Sequence, residues 1–420
     1  MATPTPPPSP APSAPPAALP HRATLVVLLL ASTLTVMAGA ILTPVVGVIR
    51  GELGVSGTGA GLILTAHGLS LAVVSPFVGW SIDRWGLRTP LVGGLLLYGV
   101  AGGAGLVTES YPALIASRFL FGIGAAAVFT GTTVALLALY QGEQRDRVAG
   151  WRSTAIGLGG IVWPLIGGAL GGLSWHGPFA VYLLGIPIGI AMLVVMPNLP
   201  AEGRAGSGGA VTLLRRHPRL LGLYALSLFG SFLLYVLAVF LPQRLTEIGV
   251  GEPFLISLVT TSTSVAGSLI GLGYAKLKAG LGYDNLLRLA LAAWALTFVI
   301  AGLTDHPALL TAAASLFGLG SGIAVPALAM MIGETAPPAL RGQAMSLSGT
   351  ANFTGQFIAP LAVGPVIGAT SIASGFLVMA AVGGLVLLVL LFTRAAPPAE
   401  RPEKTVRSGT DSASGDPAAV

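Results

Sequence analysis

"PALIASRFLFGIG", residues 112–124, sets one arginine into an apolar run, and it has a near-copy far downstream: "PALLTAAASLFGLG", residues 307–320, with one residue inserted. Two such stretches sharing proline, phenylalanine and glycine positions point to an internally duplicated chain. Other fragments recur in the same order. "PLIGG" from Pro164 returns as "PLAVG" from Pro360, and "GWSIDRWGLR" from Gly79 has a worn counterpart, "GYAKLKAGLG", from Gly273. On that alignment Gly79 corresponds to Gly273, Arg84 to Lys278 and Gly86 to Gly280. Arg118 falls opposite Ala314 and Asp83 opposite Leu277, so these two charges belong to the first half alone. Duplicated halves in a membrane bundle suggest alternating access around a site between them.

The surrounding composition places the repeats in a bilayer. Of 420 residues 54% are hydrophobic and 9% charged, with a mean hydropathy of +0.85, beyond what a soluble core requires. About twelve apolar runs reach the roughly 20 residues a crossing helix needs. Lipid offers no water to unpaired backbone groups, so helices are expected throughout. The expected fold is an all-α membrane protein with twelve transmembrane helices in two pseudo-symmetric six-helix bundles. The 59 glycines suit close helix packing. With no cysteine, disulfides, thiolate metal sites and cysteine nucleophiles are excluded. No catalytic constellation is visible, and "GIGAAA" and "GLGSG" lie inside apolar spans where no phosphate loop would sit. Neither an enzyme, a cofactor nor a metal is expected. The net charge of +6 is dispersed, which argues against nucleic acid as a partner.

Boundaries follow from the polar interruptions. Residues 1–21 form a proline-rich tail expected to be disordered, and they do not read as a signal peptide. A first bundle spans 22–197, a linker 198–217, a second bundle 218–394, and a polar tail 395–420. With a cytoplasmic N-terminus, the inside segments hold Arg22, Arg84, Arg88, Arg145, Arg147, Arg152, Arg204, Arg215, Arg216, Arg219, Lys276, Lys278, Arg288, Arg341, Arg394, Arg401, Lys404 and Arg407. Outside, only Arg50 and Arg244 remain. The positive-inside rule therefore predicts a multi-pass protein of the cell (inner or plasma) membrane with both termini cytoplasmic.

The motifs resemble the major facilitator superfamily and, more narrowly, its twelve-span drug:proton antiporters, over residues 22–394. "GWSIDRWGLRTPL" is similar to the signature loop between the second and third spans, with Gly79, Asp83, Arg84, Gly86 and Arg88 in place. "RFLFGIGAA" resembles the fourth-span motif beginning at Arg118. "GLGGIVWPLIGG" resembles the antiporter motif of the fifth span through Gly159, Pro164, Gly167 and Gly168, with Trp163 where that pattern has glycine. The resemblance implies a secondary transporter that exports lipophilic small molecules by proton antiport. Its partners would be a small-molecule substrate, protons and the bilayer, and the working unit a monomer. Uptake of a small solute on the same fold is the alternative.

Physical chemistry gives each motif a bland reading beside the functional one. Asp83 can pair with Arg84, Arg88 or a neighbouring helix end, as a latch or merely as a solvated loop. Pro164 removes a helix hydrogen bond, for gating or for a simple packing kink. All fifteen acidic residues fall at span ends, in loops or in tails, which leaves His67 as the titratable group near the membrane midplane. It is either a proton-exchanging group or a structural histidine. Arg118, roughly 9 Å along its helix from the outer end, either caps carbonyls, organises a polar network or contacts an anionic substrate group. Thr130, Thr133, Tyr235, the run from Thr260, Asn352 and Gln356 are candidates for a cavity lining, or hydroxyl and amide groups that hold helices together.

Overall fold

The computed structural model describes residues 22–197, 210–337 and 340–392. The two expected tails and residues 198–209 of the linker lie outside them. Eleven helices among the described residues are long and apolar enough to cross a membrane. In the first half these are α1 (Arg22–Glu52), α2 (Gly57–Trp85), α3 (Arg88–Leu106), α4 (Tyr111–Leu139), α5 (Gly142–Gly171) and α6 (Gly177–Val195). In the second they are α7 (Arg219–Glu247), α8 (Pro253–Leu272), α9 (Tyr274–Leu303), α10 (Pro307–Thr335) and, last, α12 (Ile372–Phe392). The remaining helix, α11 (Arg341–Ala369), is 29 residues long but carries Gln343, Asn352 and Gln356 among its apolar residues. Its polarity has a structural reason, since it lines the central cavity.

Each half repeats one packing scheme. In the first, α1 packs on α5, α2 and α3 on α4, and α3 on α6. In the second, α7 packs on α11, α8 and α9 on α10, and α9 on α12. The halves meet along two related seams, α2 against α11 and α5 against α8. The exposed large apolar side chains on both halves are mostly leucine and valine, with phenylalanine, isoleucine, tryptophan and methionine among them, as suits a hydrocarbon surround.

Contacts set the repeat more sharply than letter matching does. Gly122 lies so close to α2 that a Cβ would collide with the His67 carbonyl, and Gly318 meets the Thr263 carbonyl in the same way. Both residues of that contact are shifted by the same interval, and Pro164 and Pro360 obey it too. The turn after α2 corrects the worn motif. Gly86 has φ 77° and Gly282 has φ 71°, a backbone conformation that glycine adopts without a Cβ clash. The mate of Gly86 is therefore Gly282 and not Gly280, which is helical; Asp83 then falls opposite Ala279 and Arg84 opposite Gly280. Residue letters slipped by two positions there because only the left-handed glycine is constrained by geometry.

Candidate functional site

The helix ends on the face opposite the described chain ends are locked together across the two halves. Arg50 of α1 donates to Gln243 Oε1 of α7 at 3.0 Å. Gly61 of α2 sits against Pro360 of α11 and Val239 of α7, and Gly364 of α11 sits against Thr58. On the other seam, α5 supplies the residues the sequence singled out. Gly167 approaches the Ile41 carbonyl of α1, and Gly168 approaches Ser257 and the Pro253 carbonyl of α8. Pro164 and Gly159 lie on that buried side, and Trp163 Nε1 donates to the Thr33 carbonyl at 3.2 Å. The motif thus seals α5 between α1 and α8.

On the terminal face the halves part around a cavity of about 410 Å³. Thr130 and Phe129 of α4, Ser227 and Ser231 of α7, Trp294 of α9, Ser321 of α10 and Asn352 with Phe353 of α11 line it. The lining is apolar with scattered hydroxyls, suited to an amphipathic molecule. A second cavity of about 160 Å³ lies between α1, α5, α7 and α8, lined by Gly39, Gly160, Tyr235, Thr260, Thr263 and Ser264 among others. It exists because the repeat is imperfect. At the mirror seam His67 and Gln356 fill the positions that Thr263 and Gly160 leave open here.

His67 is 2% exposed and Gln356 3%, and Gln356 Nε2 lies 3.1 Å from His67 Nε2, tying α2 to α11 across the two halves. The His67 ring meets Phe121 edge-on at 5.7 Å, and Phe121 in turn covers Arg118.

Arg118 is 1% exposed. Its Nη2 donates to the carbonyls of Gly102 at 2.7 Å and Ala101 at 3.2 Å, near the end of α3. Phe121, Phe179 and Tyr182 surround the guanidinium with ring centres at 4.8, 5.1 and 5.2 Å. Tyr182 donates to the Ala38 carbonyl at 2.9 Å and Tyr98, packed on Phe121, to the Leu34 carbonyl at 2.7 Å, so the cage also holds α1. In this conformation the side chain does not reach the cavity. Where Arg118 has its mate Ala314, Phe298 stands at the position of Gly102 and packs on Phe317, so ring carbon replaces guanidinium.

The loop after α2 is open. Asp83 and Arg84 are exposed, and Asp83 forms no ion pair with Arg84 or Arg88. Arg88 instead donates to the Leu193 carbonyl of α6, and Arg288 in the second half donates to the Leu390 carbonyl of α12 at 3.1 Å. Gly79 has open space around it.

Of the remaining candidates, Tyr235 and Thr260 face the smaller cavity, and Thr133 bonds Arg152. Sequence reasoning placed Arg152 with the terminal-face loops, yet it stands ten residues inside α5, with its Nε 3.2 Å from Ser32 Oγ and its Nη2 3.0 Å from Thr133 Oγ1. The signal was available: nothing breaks the helix between Gly142 and Arg152.

The sequence pattern of the Major Facilitator Superfamily matches residues 28–281 and 235–415. "Multidrug resistance protein 1" of Bacillus subtilis (strain 168) is 31% identical over 156 residues, 37% of this chain and 40% of that protein. "Quinolone resistance protein NorA" of Staphylococcus aureus is 32% identical over 136 residues, 32% of this chain and 35% of that protein. The chain therefore aligns with less than half the length of these curated relatives. Among solved structures, a D-xylose–proton symporter superposes with a TM-score of 0.74 at 15% identity, over 89% of this chain and 98% of that one. The nucleoside transporter NupG does so with a TM-score of 0.70 at 14% identity, over 88% and 98%. At such identities the likeness concerns the fold.

Proposed function

The chain belongs to the Major Facilitator Superfamily and is a membrane transporter, and from this premise we propose that it exports lipophilic small molecules, by proton antiport with alternating access. The carrying observation is the α5 seal: Pro164 to Gly171 closes one face while an apolar cavity stands open on the other. With the terminal face in the cytoplasm, as the arginine and lysine asymmetry supports, the cavity loads from inside a cell membrane. The names of the partly aligned relatives support drug-like cargo. Asp83 and the loop arginines would act as a latch, re-pairing when that face closes.

Everted membrane vesicles test the direction. With a fluorescent compound identified by growth protection, an acid-inside gradient is expected to drive accumulation. Gradient-driven loss of compound from the vesicles would select uptake and overturn export.

His67 is the proposed proton-exchange group. Protonation turns its Nε2 from an acceptor into a donor, so Gln356 must rotate its amide to keep the bond between halves. The proton thereby acts on a contact that alternating access has to break. His67→Ala is expected to bind substrate but to abolish the dependence of flux on the pH gradient. Unchanged proton coupling in this variant would exclude the role.

A further inference from the structure

We propose that Arg152 anchors an anionic group of the transported molecule, so that the central cavity takes lipophilic anions in preference to lipophilic cations. The inference rests on the transporter reading of the cavity but not on the direction of transport.

Arg152 lies roughly 15 Å along α5 from Gly142 and is half-buried, beyond an exposed first stretch of that helix. No carboxylate among the described residues pairs with it. Two hydroxyls hold it instead, and both have already spent their protons on backbone. Ser32 donates to the Leu28 carbonyl at 2.8 Å and Thr133 to the Phe129 carbonyl at 2.8 Å, so each can only accept from the guanidinium. That fixes the plane of the fork while Nη1 and the second Nη2 proton stay unused; Nη1 is not sealed from solvent. A fixed fork with two adjacent free N–H groups matches a carboxylate, sulfonate or phosphate.

Two placements direct this fork to the cavity. Thr133 stands one helical turn from the cavity-lining Thr130 on α4. In the repeat, the mates of Arg152 and Thr133 are Ser348 and Ala329, and both line the main cavity. Position 152 is thus the repeat counterpart of a cavity position, and the first half places a charge there. Arg118 adds a second uncompensated positive charge behind its aromatic cage. A cation in the cavity would meet repulsion from these charges, whereas an anion would find a partner.

The test is binding by purified protein in nanodiscs of neutral phospholipid, with partition into empty discs subtracted. Three probes share one apolar body: 1-pyrenebutyrate, 1-pyrenebutanol and pyrenebutyltrimethylammonium. The wild type is expected to bind the carboxylate at least about tenfold more tightly than the ammonium, a difference of about 1.4 kcal/mol. Arg152→Gln should remove that preference and leave the alcohol unchanged, and Arg152→Lys should restore most of it. Equal or tighter binding of the ammonium by the wild type overturns the proposal. So does an Arg152→Gln variant that loses all three probes alike, which would make Arg152 a packing tie between α1, α4 and α5. No gradient enters the measurement, so inward transport in vesicles would sink the export reading and leave this result standing.

Discussion

Gly168→Ala will hold the sealed face open and cut transport at least about tenfold. The new methyl group would press on Ser257 and on the Pro253 carbonyl of α8, across the seam between the halves, and that carbonyl belongs to backbone and cannot rotate away. Overpacking of this kind costs about 1–3 kcal/mol, and here the cost falls on the conformation in which α5 and α8 touch. An alternating-access equilibrium displaced by that much becomes populated about tenfold or more on the other side. The cysteine-free chain makes the shift directly readable. Thr43→Cys, at a position 7% exposed beside the smaller cavity, is expected to react slowly with a membrane-impermeant maleimide, and much faster once Gly168→Ala is added. Gly157→Ala is the control on the same helix, because its nearest neighbour would be Ser268 Oγ at 3.6 Å, an ordinary contact. Wild-type flux and unchanged labelling in Gly168→Ala would remove α5 from the gate.

Arg118→Ala will destabilise the first half by about 3–5 kcal/mol, the range for truncating a large, fully buried side chain to alanine. Three losses coincide. The carbonyls of Ala101 and Gly102 lose their donor, three aromatic faces lose their cation, and a void remains in a well-packed layer. A fall in thermal midpoint on the order of 10 °C in detergent is expected. Arg118→Lys should fall between wild type and alanine, because one ammonium cannot reach the α3 carbonyls while lying flat between the rings. Transport is expected to decline with stability in this series. An Arg118→Ala protein that melts like wild type but no longer transports would instead place the guanidinium in the transport cycle itself.

The contrast between Arg118 and Arg152 shows which parts of this molecule were legible in one dimension. Arg118 stood out as a charge in an apolar run, and hydropathy placed it inside a span; Arg152 was one of many positive charges counted on the cytoplasmic side. Letters alone left the partner of Arg118 open between carbonyls, a network and substrate, because that partner is formed by the end of α3 and by rings from α4 and α6. Arg152 was read with a loop because hydropathy averages over a window, while the helix containing it begins ten residues earlier. His67 and Gln356 were each noticed, but their bond joins helices on opposite halves and has no local signature.

The amino-acid order by itself determined the membrane class, the number of crossings, the duplication and the family motifs. Each of these is carried by local hydropathy or by matching fragments that need no knowledge of neighbours. The tertiary structure alone decided the register of the repeat around Gly282, which face is sealed, where the cavity lies and which groups hold Arg118 and Arg152. Those properties depend on backbone conformation and on side chains far apart in the chain. In a bilayer, where lipid is as apolar as the helix surfaces, close packing and the few buried polar bonds select among arrangements that hydropathy cannot tell apart.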